Sequence, residues 1–225
     1  MAFIVAMVSQ KGGVGKSTLA RLLACEFAAQ GWNVKIGDLD ISQSTSFQWR
    51  TRRLQSKIEP DVPVEQFGTV EKALAIADQY DLLVLDGAPH STNATRSIAQ
   101  ASHLTVIPTG LSLDDLPPAV VLAHDLVKQG LSRQKIVFAL CRVGDSALEI
   151  EEARAYLHET GFDILPGALP EKTAYRRATD EGRALTETRY KTLSHRAEEL
   201  AQGMVDRISL LSTDAAKPQK KRSIA

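Results

Sequence analysis

Short apolar runs of strand length alternate with longer stretches of helical periodicity along the whole chain. Residues 3–8 predict a strand, 17–30 a helix closed by Gly31, and 34–37 a second strand. Residues 62–67 predict a short strand, 70–79 a helix and 82–85 a strongly buried strand, and further strands fall at 104–107, 136–140 and 164–169. Helical patterns occupy 118–129, 147–159 and 174–181, and a last helix covers 193–211. Repeated strand-then-helix units with continuous apolar strands predict an α/β fold, a mostly parallel twisted sheet with helices on both faces. Ligands of such sheets bind beyond the C-terminal ends of the strands.

A chain of 225 residues predicts one large domain over 1–211. Residues 212–225 hold Lys217, Lys220, Lys221 and Arg222 with little to bury, so they read as a basic mobile tail. The formal charge is +0, which gives the whole chain no push toward nucleic acid, but residues 171–225 carry 12 Lys/Arg against 8 Asp/Glu. The first residues have no basic segment, and their apolar run is too short for a signal peptide or a membrane span, so the expectation is cytoplasmic. Cys25 and Cys141 lie far apart without metal spacing and read as buried free thiols.

Between the first strand and first helix lies Ser9-Gln10-Lys11-Gly12-Gly13-Val14-Gly15-Lys16-Ser17-Thr18. Gly12, Gly13 and Gly15 let the backbone turn sharply, so that the amides of this loop, Val14 and Thr18 among them, point at phosphate oxygens. The helix N-terminus adds its positive dipole end. Lys16 supplies a point charge to the terminal phosphates, and the Ser17 hydroxyl suits Mg²⁺, which wants oxygen ligands. The ordinary G-x-x-x-x-G-K-[ST] pattern is not fully met, because Gln10 stands where its first glycine would be.

The chain carries two acidic motifs as well. Asp38 and Asp40 close the second strand two residues apart, and a pair of acids beside a triphosphate suits the holding of a water and a Mg²⁺ shell. Asp86 ends the apolar strand at 82–85, a pattern that many buried strands share.

The loop K-G-G-x-G-K-S with its added lysine, Lys11, resembles the deviant Walker A loop of the ParA/MinD family of P-loop ATPases. Asp38-Leu39-Asp40 resembles that family's D-x-D segment, and Leu82 to Asp86 looks like its Walker B strand, in which Asp86 would bind Mg²⁺ through a water. Pro170-Glu171-Lys172-Thr173-Ala174-Tyr175 falls in ParA-like order, and the likeness spans roughly residues 3–195. There are departures: Ile41-Ser42-Gln43 replaces the usual Pro-Gln, with one extra residue before Trp49, and Ala88 stands for a proline. No Asn follows the strand at 136–140 where a base-recognition residue often sits; Arg142 and Val143 stand there.

The resemblance implies an ATPase with ATP and Mg²⁺ as cofactors, slow without its partner. Lys11 would reach across an ATP-sandwich homodimer, Asp40 would position the attacking water and Asp38 would support it. It also implies a partition role, in which the ATP dimer binds double-stranded DNA nonspecifically, associates with the nucleoid, and is stimulated by a ParB-type centromere-binding or adaptor protein. Arg176, Arg177, Arg183, Arg189 and Lys191 are the DNA-binding candidates; a solvated helical face accounts for the same charges equally well. Arg50, Arg52 and Arg53 form a second cluster, placed near the nucleotide or the dimer contact. A positioning ATPase for a protein cluster or division-site component has identical ATPase parts and stays open. A membrane-binding cousin needs an amphipathic C-terminal segment, and Ile224 is the single large apolar residue after Ser212. An iron–sulfur cousin needs cysteines at the dimer face, where neither Cys25 nor Cys141 falls. The five histidines show no metal spacing, and His90 reads as an incidental loop residue.

Overall fold

The apolar runs become strands buried on both faces. The computed structural model describes residues 2–89 and 92–216. Strands β1 (Phe3–Met7), β2 (Val34–Asp38), β3 (Val64–Gln66), β4 (Leu82–Asp86), β5 (Leu104–Thr109), β6 (Ile136–Val143) and β7 (Asp163–Ile164) lie in the order β3-β2-β4-β1-β5-β6-β7. Every pairing is parallel, and β8 (Leu169–Pro170) joins β6 beyond β7.

Successive residues of β1 feed opposite sides of the sheet, as the two-residue repeat of a strand requires. Val5 and Met7 enter a core with α1 (Lys16–Ala29), α2 (Thr45–Gln55), α7 (Thr173–Asp180) and α8 (Lys191–Ala216), through Leu19, Leu23, Trp49, Tyr175, Leu200 and Met204. Ile4 and Ala6 enter the opposite core with α3 (Val70–Leu74), α4 (Thr92–Ala101), α5 (Leu116–Lys128) and α6 (Ala147–Glu159), through Val70, Ile98, Leu126 and Leu157.

Strand register brings the predicted acids together. Met7 of β1 and Asp38 of β2 both pair with Asp86 of β4. The end of the second strand, the end of the fourth and the start of the glycine loop are therefore abreast.

Several boundaries move. The helix expected at 70–79 breaks into α3 and a 3₁₀ turn at Ala77–Gln79, and the strand expected at 164–169 is two short pieces, β7 and β8. Helices α2 and α4 answer to no helical pattern in the sequence, because few of their residues are apolar; α2 buries only Ser46, Trp49 and Arg53. The last helix runs to Ala216, past the expected start of the tail. Its apolar stripe, Ala197, Leu200, Ala201, Met204 and Ile208, is spent on the internal core. Lys217, Lys220, Lys221 and Arg222, like His90, lie outside the described residues.

The Arg50–Arg53 cluster is not at the nucleotide loop. Arg53 is fully buried; its guanidinium donates to both carboxylate oxygens of Glu187 at 2.7 and 2.8 Å and to the carbonyls of Gly182 and Pro60. Gly182 (φ 80°) must be glycine here, since a β-carbon would fall 2.3 Å from the Arg53 amide nitrogen. The Trp49 indole donates to the Arg183 carbonyl at 3.0 Å, and Arg50 pairs with Asp61 at 2.8 Å.

Glu187→Ala leaves the Arg53 charge buried without its partner, so it is expected to cost about 3 kcal/mol of stability. Urea unfolding checks this: the midpoint falls while the slope holds.

Candidate functional site

The glycine loop starts where β1 ends and runs into α1. Gly13 (φ 73°) and Gly15 (φ 118°) are left-handed, and a β-carbon on Gly15 would lie 3.2 Å from both Cβ and Sγ of Cys141. Strain and crowding both demand glycine at that second position. No side chain caps α1 and no acid occupies its first turn. Its first amides and dipole end are left free for an anion.

A cavity of about 490 Å³ opens over the loop, walled by Gly12, Gly13, Gly15, Lys16, Ser17, Thr18 and Asp40. Its far side is formed by Leu169, Pro170, Glu171 and Tyr175. Lys16 is buried, its ammonium donating to the Lys11 carbonyl at 3.1 Å. Burial lowers its pKa, while Asp86 and Asp40 favour its charge.

The three predicted acids take three different environments. Asp40 is half-buried on the cavity wall, with Oδ1 accepting from the Ser42 hydroxyl at 2.6 Å and the Gln43 amide at 3.1 Å. Asp38 is fully buried and does not reach the cavity. Its Oδ1 accepts from the Asp40 amide and its Oδ2 from the amides of Ser46 and Phe47, each at 3.1 Å. The cofactor-binding place expected for it is therefore indirect: it clamps the first turn of α2. Burial and the neighbouring Asp86 push its pKa up to about 6, against those amides.

Asp86 is likewise buried and off the cavity wall, which its neighbour Gly87 lines; it accepts from the Ser46 hydroxyl at 2.7 Å on Oδ2, and its Oδ1 has no hydrogen-bond partner. Burial raises its pKa; Ser46, Arg21, Ser17 and Lys16 work the other way. An orphaned buried carboxylate oxygen near the Ser17 hydroxyl is an all-oxygen donor set, which fits a hard cation such as Mg²⁺. Among the described residues no three His, Cys, Asp or Glu side chains form a metal cluster.

Lys11 and Val14 leave the main cavity. They line a second one, of about 260 Å³, with Asp115 and Arg142. The Lys11 ammonium donates to Asp115 Oδ1 at 2.6 Å and to the Asp114 carbonyl at 3.2 Å, and its side chain remains 46% exposed. Burial works to raise the Asp115 carboxyl, but the bonds from Lys11 and Ser112 outweigh it and hold it below the usual range. The extra residue before Trp49 is absorbed in a turn: the Ser44 amide donates to the Asp40 carbonyl at 2.7 Å, and Ser44 is left-handed (φ 51°).

The basic candidates separate. Arg177, Arg189 and Lys191 are exposed, Arg183 is half-buried and pairs with Glu181 at 3.3 Å, and Arg176 lines the main cavity, 3.6 Å from Glu171.

Four site residues carry no clear signal in the sequence. Arg142 is left-handed (φ 56°) and ties the loop to the far wall, donating to the Gly13 carbonyl and to Glu171, both at 3.1 Å. Asp115 holds Lys11. Arg21 and Ser46 are buried next to the acids, Arg21 within α1 and Ser46 at the start of α2, and the sequence assigns neither a role.

The chain is similar to known proteins in sequence and in fold. The family model for the CobQ/CobB/MinD/ParA nucleotide binding domain matches residues 5–185. A Gloeobacter kilaueensis protein named maintenance of carboxysome distribution protein A is 30% identical over 190 residues, 84% of this chain and 86% of that protein. Among solved structures, the septum site-determining protein MinD of Pyrococcus horikoshii in complex with Mg-ADP aligns with a TM-score of 0.72 at 19% identity, covering 93% of this chain and 98% of that one. An ATP complex of a Cyanothece McdA variant aligns at 0.70 and 18%, covering 91% and 96%.

Because Asp38 carries a raised pKa in the folded chain, its contribution to stability falls as pH rises from 3.8 to about 6. Carboxyl-carbon NMR is expected to place its midpoint near 6 in the ligand-free protein, and Asp86→Asn to move it down. An unmoved midpoint would leave burial as the whole cause.

Proposed function

This chain belongs to the CobQ/CobB/MinD/ParA nucleotide-binding family, and on that premise we propose that it is a ParA-like ATPase that distributes a large cargo along DNA. ATP and Mg²⁺ fill the main cavity. The loop amides and Lys16 hold the phosphates, Ser17 and Asp86 hold the ion, directly and through a water, and Asp40 orients the attacking water. Bound Mg²⁺ supplies charge neutralisation between the phosphates.

Lys11 carries the proposal. It belongs to the phosphate loop, yet its ammonium stands outside the loop's own cavity, exposed and held by Asp115. A second subunit laid face to face would receive it, which makes the site complete only in an ATP-sandwich homodimer. Dimerisation doubles the basic surface of Arg177, Arg183, Arg189 and Lys191, suiting nonspecific contact with DNA phosphates. Arg176, on the cavity wall, serves the nucleotide side of that surface. Turnover by the protein alone is slow, since orienting a water is weak catalysis, and a cargo-bound adaptor speeds it.

The carboxysome-distribution relative favours a protein assembly as cargo over a plasmid with a ParB-type partner. The protein then works in the cytoplasm on the nucleoid. Among the described residues no helix is long and apolar enough to cross a membrane.

Lys11→Ala is expected to bind ATP normally and to lose ATP-dependent dimers, read by light scattering; normal dimers with normal turnover would remove the sandwich. Binding to random-sequence duplex DNA is expected with ATP, and not with ADP or without nucleotide. It should weaken steeply between two salt concentrations. Equal binding in all three nucleotide states would overturn the DNA-tracking reading.

A further inference from the structure

Asp86 presents two unlike oxygens, and the cause lies beneath the site. Ser46 is fully buried at the start of α2 and gives its hydroxyl proton to Asp86 Oδ2 at 2.7 Å. Its oxygen accepts from Arg21 Nε at 3.3 Å, and its amide is spent on Asp38. Arg21 is 4% exposed, with its guanidinium 5.8 Å from the centre of the Trp49 ring.

A serine hydroxyl has one proton and two lone pairs, and a guanidinium only donates. Arg21 therefore takes the acceptor side of Ser46 and leaves its single proton for Asp86. The direction of the chain Arg21 to Ser46 to Asp86 is set by chemistry, not by choice of rotamer. One acceptor site of Oδ2 is thereby taken, and Oδ1, buried and without a hydrogen-bond partner, keeps both of its own. The Lys16 ammonium and Ser17 act on the same carboxylate, favouring its charge. A carboxylate free to turn would give that ammonium whichever oxygen lay nearer.

We propose that Arg21 and Ser46 are positioning residues that hold Asp86 with one oxygen reserved for the cation accompanying the nucleotide. The proposal rests on the reading of the main cavity as a Mg–nucleotide site. Ser46 does not line the main cavity, whereas Arg21 reaches its wall. Both act on Asp86, so their loss weakens the dependence on the ion, and loss of Ser46 spares the grip on the phosphates. Outer-shell partners of metal ligands commonly contribute 10–100-fold in metal affinity.

The full chain is titrated with a fluorescent ATP analogue, in EDTA and over a series of Mg²⁺ concentrations. Ser46→Ala is expected to need about tenfold more Mg²⁺ to reach half of the ion-dependent gain in affinity. Its affinity in EDTA should stay within about twofold of the parent, because the backbone amide that clamps Asp38 remains. Ser46→Thr keeps the hydroxyl and is expected to restore the parent Mg²⁺ curve, which separates a positioned proton from a loss of packing. Arg21→Met is expected to shift the curve in the same direction as Ser46→Ala. A Ser46→Ala curve that overlays the parent would overturn the proposal while leaving the site reading intact. Parent protein that gains no affinity from Mg²⁺ would overturn both.

Discussion

Two carboxylates buried side by side at the end of an apolar sheet set the terms for everything around them. Asp38 and Asp86 face each other across the β2–β4 pairing with almost no solvent contact. Buried charge is tolerated only with hydrogen bonds and opposite charge close by. The surroundings supply both: three backbone amides for Asp38, and the Ser46 hydroxyl, Arg21 and Lys16 for Asp86. What they leave unmet is one oxygen of Asp86, next to the loop whose amides and lysine await an anion. A cation and a polyphosphate together answer both shortages.

Helix α2 is the strut that this arrangement needs. Its first turn meets Asp38 and Asp86, and its far end is locked by Arg53 onto Glu187 and Gly182, with the Trp49 indole bonded to the Arg183 carbonyl between them. The acids at the sheet end are therefore tied through one short helix to the segment that leads into α8. An arginine at the centre of a core is costly in isolation. Here every guanidinium nitrogen is hydrogen-bonded, and the side chain pins a helix whose few apolar residues would otherwise give it little hold on the sheet.

On the opposite flank of the loop, Lys11 and Asp115 make a pair of a different kind. It is partly exposed, so its worth is modest, on the order of 1 kcal/mol or less. A contact of that strength keeps a charged side chain in place without making its release expensive. Lys16 has no such freedom; burial and the loop's own carbonyl confine it to the cavity. Two lysines five residues apart thus take opposite placements, one inside the main cavity and one outside it.

Residue order alone determined the features whose physics is local. The parallel sheet was legible in runs of apolar residues, and the sharp turn of the glycine loop in residues whose backbone freedom depends on their own φ angles. The acids at strand ends were legible because a strand end has a fixed place in such a sheet. The tertiary structure decided what depends on partners far along the chain. Arg53 reads as one of a basic cluster until Glu187, 134 residues away, closes on it. Lys11 finds Asp115 across 104 residues, and Ser46 finds Asp86 across 40. A side chain's charge is written in the sequence; whether that charge is exposed, paired or reserved for a ligand is set by which elements the packing brings against it.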